Sequence, residues 1–196
     1  MIIVLSQPDI NENEVSRINE LFDAGMQLFH LRKPTATEQE VRLIIEGIQA
    51  QYRKRIVLNQ FYQLAQEFGI NRFHFSTEKR RNLEHKKWGE EGNILSTSTH
   101  SFEEYKELDE CFEYAFISPV FDSISKPDYK KVELTIDKRE KTTVKLIALG
   151  GIDENNCSEL NKNDFDGIAL LGSVWKNAFP TQSFEKIKQL WNTHAQ

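Results

Sequence analysis

A chain of 196 residues, 39% hydrophobic and 28% charged, has the make-up of a globular protein with one sizeable core, and no run approaches the roughly 18 apolar residues of a membrane span. Its formal net charge of −5 excludes a generally basic, nucleic-acid-coating surface, so any anion site has to be built locally. Cys111 and Cys157 lie far apart without metal-ligand spacing, which points to reduced, buried thiols in a cytoplasmic setting.

Residues 2–5 are apolar without a basic lead-in and predict a first strand, not a signal peptide. Residues 11–24 predict a helix, with Val15, Ile18, Leu21 and Phe22 at spacings of three and four and Gly25 as its stop. Strand two is expected at 28–32, turned by Lys33-Pro34. Thr37 and Glu40 form a capping-box pattern ahead of Val41, Ile44, Ile45 and Ile48. Strand three at 55–58 leads into a short helix through Leu64 and Phe68 that ends at Gly69, and strand four follows at 72–75. Residues 76–92 are charged and irregular, anchored by Leu83 and Trp88, and predict a loop with a shortened helix. Strand five is expected at 94–97, with a helix beginning at Ser101.

Strand six lies in the aromatic stretch that starts at Glu113 and closes at Ser118-Pro119. The chain then changes to Ser123, Ser125 and Lys126, either an anion cradle of hydroxyls around an ammonium or an ordinary polar loop. Residues 127–143 are long and polar, a lid or a reduced sixth helix. Strand seven at 145–149 closes on Gly150-Gly151, a helix is expected at 153–160 and strand eight at 167–171. A final helical region opens at Ser173 and includes residues 184–191, with Trp175 and Trp191 as helix-to-barrel packing residues.

Eight short strands alternating with helices predict an α/β protein, a single small (β/α)8 TIM barrel over residues 1–196, with an open doubly wound sheet as the alternative. Barrels work at the C-terminal ends of their strands. There the sequence places His30 and Arg32, Asn59, His74 and Ser76, Ser98 and His100, Ser118 to Lys126, Gly150 and Gly151, then Leu171 and Gly172. Glycines followed by a helix start let backbone amides approach a phosphate. Three histidines on one rim without carboxylates read as packing or proton-transfer residues before they read as metal ligands, so no metal site is assigned.

Taken together, His30-Leu31-Arg32-Lys33, Val57-Leu58-Asn59, His74-Phe75-Ser76, Ser96-Thr97-Ser98-Thr99-His100, Ser118-Pro119-Val120-Phe121 through Ser125-Lys126, Ala148-Leu149-Gly150-Gly151-Ile152 and Gly167-Ile168-Ala169 resemble the thiamine phosphate synthase / thiazole tautomerase family over nearly the whole chain. The resemblance implies thiamine biosynthesis: a hydroxymethylpyrimidine diphosphate joined to a thiazole phosphate with release of diphosphate. It implies catalytic roles for Arg32, Ser98 and Lys126, and assigns substrate and phosphate binding to Asn59, Ser123, Ser125, Gly150, Gly151, Leu171 and Gly172. From their strand ends, His74 is read as a catalytic proton-transfer residue and His30 as a substrate-binding one. Small phosphorylated substrates, no nucleic acid or membrane partner, and a homodimer are the expected company. Mg2+ is implied by the family, yet its aspartate positions hold Gln60 and Lys79 (or neighbouring Glu78), and the family lysine near Arg32 is moved by one residue to Lys33, onto the other face of the strand. The tautomerase histidine position holds Pro119. A thiazole phosphate isomerase using His30 or His74, and a non-catalytic phosphate-binding barrel, are the alternatives.

Overall fold

The computed structural model describes residues 1–82, 85–121, 142–161 and 163–193. Eight parallel strands, β1 (Ile2–Leu5), β2 (Leu28–Leu31), β3 (Ile56–Leu58), β4 (Arg72–Phe75), β5 (Ile94–Thr99), β6 (Phe112–Ile117), β7 (Lys145–Leu149) and β8 (Gly167–Leu170), close in sequence order into a barrel. Most of their residues are buried on both faces, as parallel strands beneath a helical layer require. The open-sheet alternative is thereby excluded.

Strand alternation sorts side chains into two cores. Ile3, Leu28, Val57, Tyr114, Phe116, Ile147 and Ala169 fill the barrel interior. Val4, Phe29, Leu31, Leu58, Phe73, Ala115 and Leu170 point outward, where Ile18, Leu21 and Phe22 of helix α1 (Glu14–Asp23), Ile44 and Ile45 of α2 (Glu38–Gly47), and Phe184, Ile187 and Trp191 of the last helix cover them. Helix α2 begins as expected, with Thr37 and Glu40 exchanging both capping-box hydrogen bonds. Trp175 and Trp191 are buried, and the Trp175 indole N–H donates to Leu5 O at 2.7 Å, tying the end of the chain to β1.

Of three short connecting segments, the first follows the sequence expectation and the other two differ. After β3 a 3-10 turn (Tyr62–Leu64) runs into α3 (Ala65–Phe68), which Gly69 ends in the left-handed region, φ +65°. The charged stretch after β4 forms two short helices, α4 (Thr77–Arg81) and α5 (His85–Glu90). The helix expected at 153–160 reduces to a 3-10 turn, Cys157–Glu159. Side chains there bond the local backbone, with Asp153 N donating to Asn156 Oδ1, Asn155 N to Asp153 Oδ1 and Asn156 Nδ2 to Gly151 O, and the turn closes with Glu159 N on Asn156 O. Between β5 and β6 lies α6 (Phe102–Lys106), capped by Ser101; β8 is followed by α7 (Gly172–Trp175) and α8 (Pro180–Thr193). Cys157 is buried as expected, whereas Cys111 is exposed because it stands in the turn ahead of β6.

Candidate active site

At the end of β2 two consecutive residues take opposite faces. Lys33 turns outward, is fully buried, and pairs with Glu14 at the start of α1 at 2.5 Å while also donating to Asp9 O at 2.7 Å. Burial raises the Glu14 pKa, and the Lys33 ammonium only partly offsets it. The lysine that the family resemblance places near the substrate is therefore a strut between β2 and α1. Arg32 turns to the rim, is exposed, and has no side-chain hydrogen bond or ion pair among the described residues. Its backbone is clamped by Ser6, whose hydroxyl accepts from Arg32 N at 2.9 Å and donates to Arg32 O at 2.8 Å.

Below the rim, the interior holds a polar layer that strand register assembles: His74, Ser96 and Tyr114 pair across β4, β5 and β6. His30 is fully buried, with Nε2 2.6 Å from the Tyr114 hydroxyl, and its ring centroid is 5.1 Å from that of His74. Burial first, then His74, holds His30 well below the ordinary histidine range. His74 falls to about 3, through burial first and then the positive charges of Arg32, Arg80 and Lys79. Both rings are neutral at pH 7. Ser96 Oγ donates to Phe73 O at 3.3 Å, so it accepts from His74 Nδ1–H at 3.0 Å, which leaves Nε2 to accept from the Ser98 hydroxyl at 3.1 Å. Ser98 thus turns its oxygen lone pairs toward the rim.

Three cations surround this layer. Lys79 Nζ stands 3.3 Å from the Tyr62 hydroxyl, which itself donates to His74 O. Arg80 donates to Thr97 Oγ1 at 3.0 Å and Ser98 O at 2.7 Å, and pairs with Glu104, so it fixes the end of β5. Asn59 Oδ1 is buried beneath the rim without a hydrogen bond of good geometry. The positions that the family resemblance gives to magnesium do not fit that ion. Gln60 spends its amide N–H on Lys33 O at 2.5 Å, Lys79 is a cation, and Glu78 is exposed. Hard divalent ions need carboxylate oxygens there.

The other half of the rim is a cavity of about 670 Å3 between the ends of β1, β6, β7 and β8, lined by Gly150, Gly151, Leu171, Gly172, Ser173, Lys176 and Asn156, with His100 and Pro119 on its near side. Gly150 sits at φ +105°, and a Cβ there would lie 2.9 Å from Pro119, so only glycine closes this turn. Gly151 is also left-handed, φ +67°. Ser173 Oγ is buried without a hydrogen-bond partner. His100 is exposed and its Nδ1 lies 3.1 Å from Ser118 O.

Of the residues read from the sequence, Arg32, Asn59 and Ser98 gather on one half of the rim with His30 and His74 buried beneath them, so His30 lies out of reach of a substrate at the rim, and Gly150, Gly151, Leu171 and Gly172 gather on the other half. Ser123, Ser125 and Lys126 lie outside the described residues. Tyr114, Ser96, Arg80 and Ser173 were missed. The first two carry a signal, since they share the inward alternation of Phe116 and Ser98; the last two carry none in a single sequence.

The chain matches the family model described as thiamine monophosphate synthase over residues 1–174. A thiamine-phosphate synthase of Listeria innocua is 28% identical over 192 residues, covering 90% of this chain and 87% of that protein. One of Clostridium tetani is 24% identical over 182 residues, covering 89% and 87%. Among solved structures, thiamine phosphate pyrophosphorylase of Pyrococcus furiosus superposes with a TM-score of 0.81 at 18% identity, covering 100% of this chain and 96% of that one. The corresponding protein of Bacteroides thetaiotaomicron gives 0.73 at 24% identity, covering 100% and 99%. The chain belongs to the thiamine monophosphate synthase family and is a transferase of thiamine biosynthesis.

Proposed function

We propose that this barrel joins a hydroxymethylpyrimidine diphosphate to a thiazole phosphate, forming thiamine phosphate and diphosphate. The thiazole phosphate sits in the glycine-lined cavity, against Gly151, Gly172 and Ser173, and the pyrimidine diphosphate lies across the cationic half of the rim. The observation that carries the reading is the pair of neutral, buried histidines beneath cations, with Arg32 unpaired among the described residues. A departing diphosphate needs positive charge fixed in place before the bond breaks. Arg32 and Lys79 supply it, and Arg80 with Glu104 holds the end of β5 and Ser98 steady, while the Ser98 hydroxyl donates its hydrogen bond to neutral His74. With both rings neutral, the layer adds no charge of its own and leaves the rim cations unmatched. As the bond between the exocyclic methylene carbon and the diphosphate oxygen breaks, its electron pair leaves with diphosphate. The pyrimidinylmethyl carbocation is then captured by the thiazole nitrogen lone pair, so no general base is required.

Lys126, Ser123 and Ser125 are proposed as further diphosphate ligands from the family resemblance. We place the enzyme in the cytoplasm as a homodimer. Because the residues do not fit a magnesium site, diphosphate charge is proposed to be met by side-chain cations. Thiamine phosphate formation from the two substrates tests this directly, with MgCl2 and with EDTA. Product in both conditions is expected. Product only with Mg2+ would overturn the cation reading, and product in neither would overturn the synthase reading.

A further inference from the structure

Far from the rim, at the N-terminal edge of β6, His85 of α5, Asp109 and Cys111 bring one ligand atom each within 4.8 Å of one another. His85 is only 2% exposed, packed with its ring centroid 4.9 Å from that of Phe112, yet neither ring nitrogen has a hydrogen-bond partner. A buried imidazole left this way costs free energy unless something binds it. One turn along α5, Gly89 lies against Cys111, where an added Cβ would sit 3.6 Å from Cys111 Cβ, an ordinary contact distance, so α5 packs beside the cysteine. Asp109 Oδ1 accepts from Cys111 N at 3.2 Å, which fixes carboxylate and thiol side by side.

We infer that His85, Asp109 and Cys111 bind a divalent ion of the zinc class, clamping α5 to the start of β6. Imidazole nitrogen, carboxylate oxygen and thiolate sulfur are the donor types such an ion takes. One thiolate and one carboxylate balance its two charges. Tetrahedral bonds of about 2.0–2.3 Å set ligand atoms some 3.3–3.8 Å apart, so closing the group needs side-chain movements of about 1 Å. Binding takes the thiolate form of Cys111, so its proton leaves as the ion arrives. Cys111 is exposed, which leaves the fourth position to water.

The test uses the full chain, stripped with a chelator and titrated with Co2+ alone as a spectroscopic probe. One equivalent should give thiolate-to-cobalt charge-transfer absorption and tetrahedral d–d bands, which one equivalent of Zn2+ displaces. Zn2+ should also slow alkylation of Cys111 at least tenfold. His85→Asn removes a buried ring and can fail to fold, so the deciding variants are Cys111→Ser and Asp109→Asn. Both should lose the cobalt spectrum and keep thiamine phosphate formation. Absence of charge-transfer absorption in the unsubstituted chain, or its persistence in Cys111→Ser, overturns the site.

Discussion

The two halves of the rim are built by different means. On the β7–β8 side the cavity is shaped by backbone: Gly150 and Gly151 in left-handed conformations and the short turn opening at Gly172. On the β2–β5 side the work is done by long side chains, Arg32, Lys79 and Arg80, standing over a buried polar layer. A backbone cradle is written into a few adjacent residues. A cationic half depends on struts elsewhere in the fold, and so it can be broken from a distance.

The largest effect expected follows from that dependence. Lys33→Met leaves Glu14 buried without its partner, pushes its carboxyl further up toward the protonated form, and should cost up to about 3–5 kcal/mol of stability. Urea unfolding at neutral pH would read it. Replacing both partners, Lys33→Met with Glu14→Leu, should recover most of the loss, because two apolar groups leave no orphaned charge. A single substitution that leaves the midpoint unchanged would show that β2 does not lean on α1 through this pair.

Arg32→Ala attacks the same half without touching the fold. Its guanidinium is exposed and makes no ion pair among the described residues, so stability should change by less than about 0.5 kcal/mol. Removing a fixed charge that faces a leaving group should lower kcat/KM by about 100–1,000-fold. Affinity for the thiazole phosphate, bound in the other half, should be unchanged. Equal losses for both substrates in steady-state kinetics would mean that the halves are not separate sites.

How much of this was legible in the sequence differs between the halves in the same way. Gly150-Gly151 after an apolar run announced the cradle, and position at the C-terminal strand ends of a barrel singled out His30, Arg32, Asn59, His74 and Ser98. Lys33, one residue past Arg32, was correctly put on the opposite face by period two alone. What alternation cannot supply is the partner: nothing near Lys33 names Glu14, 19 residues earlier on another element. The helix expected at 153–160 shortened to a 3-10 turn in a stretch of Asp and Asn, whose side chains bond the local backbone and favour turns. Cys111 was expected inside because free cysteines usually are, but a turn residue beside Asp109 follows the turn.

The smallest effect is also the one whose sign matters most. Ser173 Oγ is buried in the cradle half without a partner, an arrangement that costs stability unless a ligand oxygen completes it. Ser173→Ala should therefore leave the unliganded protein equally stable or raise its stability by up to about 1 kcal/mol. The same change should weaken inorganic phosphate or thiazole phosphate binding by roughly 5–10-fold, the worth of one hydrogen bond of about 1 kcal/mol. Thermal melts with and without phosphate separate the two numbers. A variant that melts lower without ligand and binds phosphate as before would make Ser173 a packing residue, and the cradle would then rest on backbone alone.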